Sequence, residues 1–359
     1  MKIDHFINKI IQGENTYVLK KIPNQSIDFI FADPPYFMQT EKELLRTNGE
    51  KFNGVDDDWD KFKDFNEYDE YSLKWLTECQ RVLKPNGTIC VIGSFQNIFR
   101  IGYLLQNLGF WIINDIVWSK TNPVPNFAGT RFVNSHETMI WAAKSKKSKF
   151  TFNYKTMKFL NNQKQEKSVW NISLSTGKER LKDSNGKKIH NTQKPEALLY
   201  KIILAATKPN DLILDPFFGT GTTGVIAKKI GRNWIGIERE FKYIEPAQKR
   251  IENTQIESNN ITNLDLEVQP PKVSVQKLLE FHYLKPGDSL YDKNNKKICT
   301  LLETGKVWDG EEELSIHKMS AKKLNKINNN GWDYFYVEYK NKIISINDLR
   351  YLFTEKNND

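Results

Sequence analysis

Four consecutive residues combine a carboxylate, two prolines and an aromatic ring: Asp33, Pro34, Pro35 and Tyr36. They follow a short apolar run that predicts a β-strand, so we expect them at a strand end, where ligand crevices open. The Asp33 carboxylate and the Pro34 carbonyl can both accept hydrogen bonds, and Pro35 has no N–H to compete for them. Two such acceptors suit an exocyclic amino group of a nucleobase, because holding its N–H bonds favours a tetrahedral, nucleophilic nitrogen. Tyr36 can stack on a base that has left its helix.

A glycine-rich bend follows a second predicted strand much later in the chain. Gly219, Gly221 and Gly224 match the pattern GxGxxG, and Glu238 ends the next predicted strand. Glycines let a nucleoside approach the backbone closely, and a carboxylate at the neighbouring strand end can accept hydrogen bonds from ribose hydroxyls. A nicotinamide-dependent dehydrogenase has the same pattern, and a tight turn without a ligand could also produce it.

Residues next to the bend favour one ligand over the other. Asp215, Phe217 and Phe218 provide a carboxylate and an aromatic wall, which suit a cationic ligand with an amino-acid group better than a pyrophosphate. S-adenosylmethionine is such a ligand, and Lys194 could pair with its carboxylate, although a plain surface turn would also explain Lys194. The predicted cofactor-binding residues are Asp215, Phe217, Phe218, Gly219, Gly221, Thr222, Glu238 and Lys194.

Positive charge is concentrated in one part of the chain. The formal net charge is +9, and residues 144–194 alone contain 14 Lys and Arg against 3 Asp and Glu. Such a run is often a solvated face, but interleaved aromatic residues (Phe150, Phe152, Tyr154, Phe159 and Trp170) favour a folded insertion that grips nucleic acid. We place this target-recognition insertion at about 144–190. Its predicted DNA-binding residues are Lys146, Lys147, Lys149 and Lys155, and Arg131 is a further candidate for entering a groove or contacting a phosphate.

Other features of the composition argue against several classes of protein. Cys79, Cys90 and Cys299 are far apart, and the 5 histidines are scattered, so we expect no metal site and no disulfide framework. We see no signal-peptide core and no apolar run of membrane-spanning length. These features predict a cytoplasmic protein, associated with the nucleoid through DNA.

Strand and helix patterns alternate through the first 250 residues. This alternation predicts an α/β fold with a Rossmann-like, mostly parallel sheet flanked by helices. We place a catalytic domain at 1–255, a linker at 256–272 and a small α+β domain at 273–359. Residues 37–66 show no clear period and predict a loop that could act as a lid.

The order of the motifs resembles that of a known family. Asp-Pro-Pro-Tyr comes first, a basic insertion next and Phe-x-Gly-x-Gly last, as in the β group of amino-methyltransferases. Beyond the motifs, the chain is similar to the HinfI-type DNA adenine-N6 methyltransferases in residues 32–40, 91–97, 121–127 and 328–335, and the tail resembles the restriction-adenine-methylase-associated domain.

The resemblance implies more than the motifs do. It implies methyl transfer from S-adenosylmethionine to adenine N6 in double-stranded DNA at GANTC, with base flipping and without a metal. A type II restriction–modification system, a cognate endonuclease as genetic partner, a DNA-binding C-terminal domain and a possible homodimer would accompany this activity. In the same family pattern, Asp rather than Ser at position 33 favours methylation of adenine N6 over cytosine N4.

Three alternatives remain open from the residues alone. The same chemistry could act on cytosine N4 or on RNA. The GxGxxG pattern with Glu238 would also fit an NAD-dependent oxidoreductase. The basic insertion would fit a DNA-binding module without catalytic activity.

Overall fold

The computed structural model describes residues 2–38, 60–126, 129–177, 179–181, 183, 186, 189, 192–257 and 271–357, with the backbone of 44–45 and 51–52. The chain divides into two compact units, Met1–Glu267 and Val268–Asp359. Most of the predicted loop at 37–66 lies outside the described residues, and so do all four lysines between 178 and 191.

The larger unit is an α/β fold. After a 3₁₀ turn at Ile3–His5, its strands are β1 Lys9–Gln12, β2 Ile27–Ala32, β3 Leu44–Leu45, β4 Lys51–Phe52, β5 Leu83–Gly93, β6 Trp111–Lys120, β7 His136–Ala143, β8 Val169–Ile172, β9 Leu212–Asp215 and β10 Asn233–Glu238. Its helices are α1 Asn15–Leu19, α2 Phe65–Val82, α3 Ile98–Asn107, α4 Tyr154–Leu160, α5 Glu196–Ala206, α6 Thr222–Lys229 and α7 Phe241–Glu252.

Eight of these strands form one sheet in the order β1-β10-β9-β2-β5-β7-β6-β8. Neighbouring strands are parallel except where β7 lies between β5 and β6 and runs antiparallel to both. Together with the helices around it, this mostly parallel sheet confirms the predicted fold class. The pairing of β3 with β4 forms a separate two-stranded ladder.

Successive side chains of β2 point to opposite faces of the sheet, and both faces are buried. Phe29 and Phe31 belong to one hydrophobic cluster, and Ile30 belongs to another, as expected for a parallel strand covered by helices on both sides. Parallel pairing joins β2 to β9, with Phe29 opposite Ile213. From this pair the sheet continues through β5 on one side and through β10 on the other. A strand order of this kind leaves a crevice at the carboxyl ends of the central pair.

The basic insertion is partly built into this sheet. Strand β8 pairs with β6, and Trp170 is buried and donates its indole N–H to the Lys167 carbonyl at 2.7 Å. The ring of Phe150 packs against Trp141 at 5.5 Å. Phe150 and Trp170 therefore pack in and against the core of the sheet, as in a folded insertion, and the prediction that this insertion grips nucleic acid stays a prediction. Phe152, Tyr154 and Phe159 are exposed.

The smaller unit has a hydrophobic core of its own. Its antiparallel sheet has the order β14-β13-β12-β11-β15-β16, formed by β11 Ser289–Tyr291, β12 Lys297–Leu301, β13 Val307–Trp308, β14 Glu313–Leu314, β15 Tyr336–Tyr339 and β16 Lys342–Ser345. Its helices are α8 Val275–Glu280, α9 Ile316–Lys323, α10 Gly331–Tyr334 and α11 Ile346–Asn357. Across the described parts of both units, no helix is long and apolar enough to span a bilayer.

Close packing under the glycine bend predicts a strong effect of one substitution. A Cβ at Gly236 would lie 2.4 Å from the Phe218 ring, which is itself buried and stacked on Trp234. We expect Gly236→Ala to destabilise the protein by about 1–3 kcal/mol, since neither ring can move away cheaply. Urea unfolding measures this loss. Gly102→Ala is the matched control, because its Cβ would meet only the flexible end of Ile140. Equal stability of the two variants would contradict the packing argument.

Candidate active site

Both sequence motifs line one cavity at the carboxyl ends of β2 and β9. The cavity has a volume of about 400 Å³, and its walls include Asp33, Tyr36, Asp215, Gly219 and Glu238. This volume lies in the range of pockets that hold a small ligand. The structure thus brings together two turns that are far apart in the sequence.

The Asp33 carboxylate is paired with a buried ammonium group. Lys194 Nζ lies 2.6 Å from Asp33 Oδ2, and the Lys194 side chain is 7% exposed. Burial raises the pKa of Asp33, and the charge of Lys194 offsets only part of this effect. Burial alone would lower the pKa of Lys194, but Asp33 and Glu137 outweigh it and leave the pKa raised. Lys194 therefore stays charged, and its partner in this structure is Asp33. Its pairing with the carboxylate of the cofactor stays a prediction.

A second carboxylate, Glu137 at the start of β7, holds the ring of Tyr36. The Tyr36 hydroxyl donates to Glu137 Oε2 at 2.9 Å, and Lys120 Nζ lies 2.8 Å from Glu137 Oε1. Burial would raise the pKa of Glu137, but Lys194 and Lys120 outweigh it and lower the pKa. Burial and the two neighbouring carboxylates raise the pKa of Tyr36 well above its ordinary value, so its hydroxyl remains a donor.

Asp60 fixes the backbone of the turn. Its carboxylate accepts the backbone N–H groups of Tyr36 and Phe37 at 2.7 Å each and of Met38 at 2.9 Å. Phe37 has a φ of 53°, in the left-handed region that a phenylalanine rarely adopts. Three charge-assisted hydrogen bonds to one carboxylate compensate for this conformation. The backbone of this turn is therefore fixed by a protein group without any ligand.

At the other end of the cavity the glycine bend is held by Glu238. Gly219 and Gly221 have φ values of 51° and 75°. Glu238 Oε2 accepts the Gly219 N–H, and Oε1 accepts the Glu240 N–H, both at 2.7 Å. Each carboxylate oxygen keeps a second lone pair, so Glu238 can also accept a hydrogen bond from a hydroxyl group of a ligand.

Asp215 stands between the two turns. Its carboxylate accepts the Thr223 hydroxyl at 2.5 Å and the Phe217 N–H at 2.9 Å. Burial raises the pKa of Asp215 to about 7, against the lowering effect of these two hydrogen bonds. This carboxyl group therefore changes its charge near neutral pH, which matters for any cationic ligand.

The two phenylalanines of the bend have different surroundings. Phe217 contacts Trp75 edge to face at 5.1 Å, and Phe218 stacks on Trp234 at 5.3 Å. Phe218 is buried and fills the space over Gly236 and Gly224. Phe218 thus packs mainly in the core, although both residues are part of the cavity wall. Thr222 also lies on the wall, and its hydroxyl is 3.4 Å from the Lys194 carbonyl oxygen.

Sequence reasoning missed two polar residues at the cofactor end of the cavity. Glu14 and Asn15 line the cavity, and Asn15 Nδ2 donates to the Tyr71 hydroxyl at 3.2 Å. Among the residues that the structure describes, Glu14 Oε1 and Asn15 Oδ1 are buried and have no hydrogen-bond partner. Buried acceptors without partners are costly, so these two atoms are suited to donors of a ligand. A Gly-Glu-Asn sequence after the first strand is the signal that could have revealed them.

The candidate DNA-binding residues fall into two groups. Arg131 lies in the loop between β6 and β7, at the cavity edge, with its guanidinium 5.6 Å from the Phe95 ring. The four lysines lie at the opposite edge of the sheet: Lys146, Lys147 and Lys149 follow the end of β7, and Lys155 follows Asn153, whose amide donates to the Leu204 and Thr207 carbonyls. The Lys149 N–H donates to Asn86 Oδ1 at the start of β5. The structure therefore does not bring the lysines near the cavity.

The DNA methylase family model, which covers N6 and N4 enzymes, matches residues 27–249. The chain belongs to this family. Among relatives, it is 62% identical over 354 residues, 99% of both chains, to the type II methyltransferase M.HinfI of Haemophilus influenzae. It is 46% identical over 244 residues, 67% of this chain and 88% of the relative, to the type II methyltransferase M2.LlaDCHI of Lactococcus lactis subsp. cremoris.

Solved structures agree with this assignment. The M1.HpyAVI complex with S-adenosylmethionine is 29% identical at a TM-score of 0.50, covering 68% of this chain and 98% of that one. The PvuII cytosine-N4-specific DNA methyltransferase shares the fold at a TM-score of 0.54 and 22% identity. This match covers 71% of this chain and 90% of the PvuII enzyme. The predicted enzyme class, a DNA methyltransferase, and its cofactor, S-adenosylmethionine, are confirmed. The family excludes a dehydrogenase and a non-catalytic DNA-binding module.

The residues of the cavity fit this cofactor. Asp215 can hold a positively charged group, Glu238 can accept hydrogen bonds from ribose hydroxyls, and Glu14 and Asn15 offer acceptors that lack partners. The described residues contain no group of three or more His, Cys, Asp or Glu that could hold a metal ion.

The pKa of Asp215 predicts how cofactor binding depends on pH. Below about pH 7 the carboxyl group is protonated, and it must release a proton before it can pair with a cationic ligand. We therefore expect the affinity for S-adenosylmethionine to rise by up to about tenfold per pH unit below pH 7 and to level off above it. Calorimetric titrations from pH 6 to 8.5 measure this, with Asp215→Asn as control. The same slope in Asp215→Asn would show that another group titrates.

Proposed function

We propose that this protein transfers a methyl group from S-adenosylmethionine to adenine N6 in double-stranded DNA at GANTC. It acts as the modification enzyme of a type II restriction–modification system, with a cognate endonuclease as its genetic partner. The observation that carries the proposal is the single cavity shared by Asp33 and the glycine bend. The choice of adenine and of GANTC rests on the resemblance of the motifs to the HinfI-type enzymes.

The residues of the turn have separate tasks. Asp33 and the Pro34 carbonyl accept the two N–H bonds of the target amino group, and Pro35 keeps the turn free of a competing donor. Tyr36 stacks on the base, with its ring held by Glu137 at 2.9 Å. When bound, S-adenosylmethionine supplies a methyl group on a sulfonium sulfur, and the amino nitrogen that receives it is positive until it loses a proton.

The cavity also requires the base to leave the duplex. A nitrogen stacked between neighbouring base pairs cannot be approached from above its plane, so the adenine must be flipped out. Arg131 and the neighbouring Phe132, which is 98% exposed, lie at the edge where DNA would have to dock. We place the main DNA contact there and an auxiliary contact on the unit Val268–Asp359.

The central prediction concerns Asp33. We expect Asp33→Ala to reduce methyl transfer by at least about a thousandfold, comparable to losing a key electrostatic group, while DNA binding is kept. The measurement uses labelled cofactor and a GANTC duplex, followed by identification of the methylated base. Asp115→Ala, an exposed aspartate on β6, serves as matched control.

Two outcomes would overturn this assignment. Normal methylation by Asp33→Ala would remove Asp33 from the mechanism. Label on cytosine, or on RNA alone, would show that the substrate is cytosine N4 or RNA and not adenine N6 in DNA. Protection of GANTC sites from a GANTC-cutting endonuclease tests the recognition sequence independently.

The position of the basic residues predicts which edge faces DNA. We expect Arg131→Ala to weaken DNA binding and to reduce the slope of log affinity against log salt by about one, as for a lost phosphate contact. Lys147→Ala, at the opposite edge, should change both much less, although the sequence alone predicted a contribution from the lysines. Fluorescence anisotropy at several salt concentrations measures both variants. A larger change of slope for Lys147→Ala would place the DNA on the other edge.

A further inference from the structure

The Asp33–Lys194 ion pair conflicts with the proposed role of Asp33. The ammonium lies 2.6 Å from Asp33 Oδ2, so it draws charge from the carboxylate that must accept the target amino group. It also puts a positive charge next to a nitrogen that becomes positive as it takes the methyl group. Both effects oppose the reaction as long as Lys194 stays on Asp33.

Burial leaves Lys194 with few alternatives. Its side chain is 7% exposed, and an ammonium that loses its hydrogen-bonded counter-ion in such a site is strongly disfavoured unless another carboxylate replaces it. Nearby, the Thr192 carbonyl oxygen lies 3.4 Å from Nζ, and the Tyr36 ring centroid lies 5.2 Å away. Arg180 is a further charged group that acts on Lys194, and it repels it. None of these groups replaces a carboxylate.

Glu137 can replace it. Its Oε2 atom lies 4.0 Å from Lys194 Nζ, and the side chain is 13% exposed. This oxygen already accepts the Tyr36 hydroxyl, but a carboxylate oxygen can accept a second hydrogen bond. A movement of about 1 Å would bring Lys194 to hydrogen-bonding distance. Because Lys120 holds the other oxygen at 2.8 Å, the carboxylate is fixed while Lys194 moves.

We propose that Glu137 is a positioning residue that takes over the Lys194 ammonium when the target amino group binds to Asp33. The inference rests on the proposed role of Asp33 as acceptor of that amino group. In the free enzyme Lys194 keeps Asp33 partnered and charged. In the complex with flipped adenine, the Glu137 carboxylate pairs with Lys194, and the Asp33 carboxylate accepts a hydrogen bond only from the target amino group. The same Glu137 oxygen fixes Tyr36, so the stacking ring and the ammonium are set by one atom.

Single-turnover kinetics of Glu137→Gln test this role. The amide can still accept the Tyr36 hydroxyl but lacks the charge that holds an ammonium. We expect the rate of methyl transfer to fall by at least about tenfold, with the affinity for S-adenosylmethionine unchanged within about twofold. Glu70→Gln, an exposed glutamate on α2, is the matched control and should keep the normal rate. A normal rate in Glu137→Gln would overturn the proposal.

A double-mutant cycle with Lys194→Met separates the proposed role from a merely structural one. Without the ammonium there is nothing for Glu137 to take over, so Glu137→Gln should cost less than about threefold in the Lys194→Met background. An equal loss in both backgrounds would mean that Glu137 only supports Tyr36, and the proposal would fail.

A ternary structure gives a readout that does not depend on the stability of any variant. In crystals of the unmodified enzyme with a GANTC duplex and S-adenosylhomocysteine, we expect Lys194 Nζ within about 3.2 Å of a Glu137 oxygen. An amino group on Asp33 with Lys194 still on the same carboxylate would refute the transfer. The two proposals fail differently: an active Asp33→Ala removes the acceptor role itself, whereas an essential Asp33 with a normal Glu137→Gln removes only this inference.

Discussion

Parallel pairing of β2 with β9 is the constraint on which the site depends. Phe29 pairs with Ile213 and Ile30 with Leu214, so both strands end at the same edge, and Asp33 and Asp215 follow at adjacent strand ends. Side chains alternate between the two faces of a strand, so a shift by one residue would turn Phe29 and Phe31 into the wrong hydrophobic cluster. The core therefore fixes the register, and the register fixes the distance between the turn at Asp33 and the glycine bend.

The charges around the turn balance one another at largely buried positions. Asp33 and Glu137 face Lys194 and Lys120, and all four side chains are less than a fifth exposed. Buried ion pairs of this kind contribute little to stability, because desolvation offsets most of their attraction. Their value lies in preorganisation, because groups that are already held in place need no rearrangement when charge develops on a bound ligand. Asp60, with its three backbone N–H partners, serves the same purpose for the turn itself.

The sequence predicted the parts of the site that are local in the chain and missed those that are not. Asp33 and Gly219 are recognisable because turn chemistry depends on neighbouring residues. Glu137 reaches the cavity only because β7 runs antiparallel beside β5, and no local sequence pattern predicts this strand direction. The same reversal places the lysines after β7 at the edge away from the cavity, which a charge count along the chain does not reveal. That Lys147 contacts DNA stays a prediction. The buried position of Trp170 on β8 was not predictable for a similar reason, since a tally of residue types does not distinguish an edge strand from a surface loop.

The glycine pattern illustrates why a fold motif cannot identify its ligand. Gly219 and Gly221 are needed for positive φ, and Gly224 is needed because a Cβ there would lie 2.7 Å from the Phe218 ring and from Ile251. All three requirements come from the strand, the turn and the helix, and they would be the same for a pyrophosphate. The groups that distinguish S-adenosylmethionine face the cavity instead: a carboxyl group of Asp215 with a pKa of about 7 and the unpartnered acceptors of Glu14 and Asn15. The groups that fit S-adenosylmethionine better than a pyrophosphate are therefore the buried polar atoms around the bend, and the glycines provide the backbone that lets a ligand reach them.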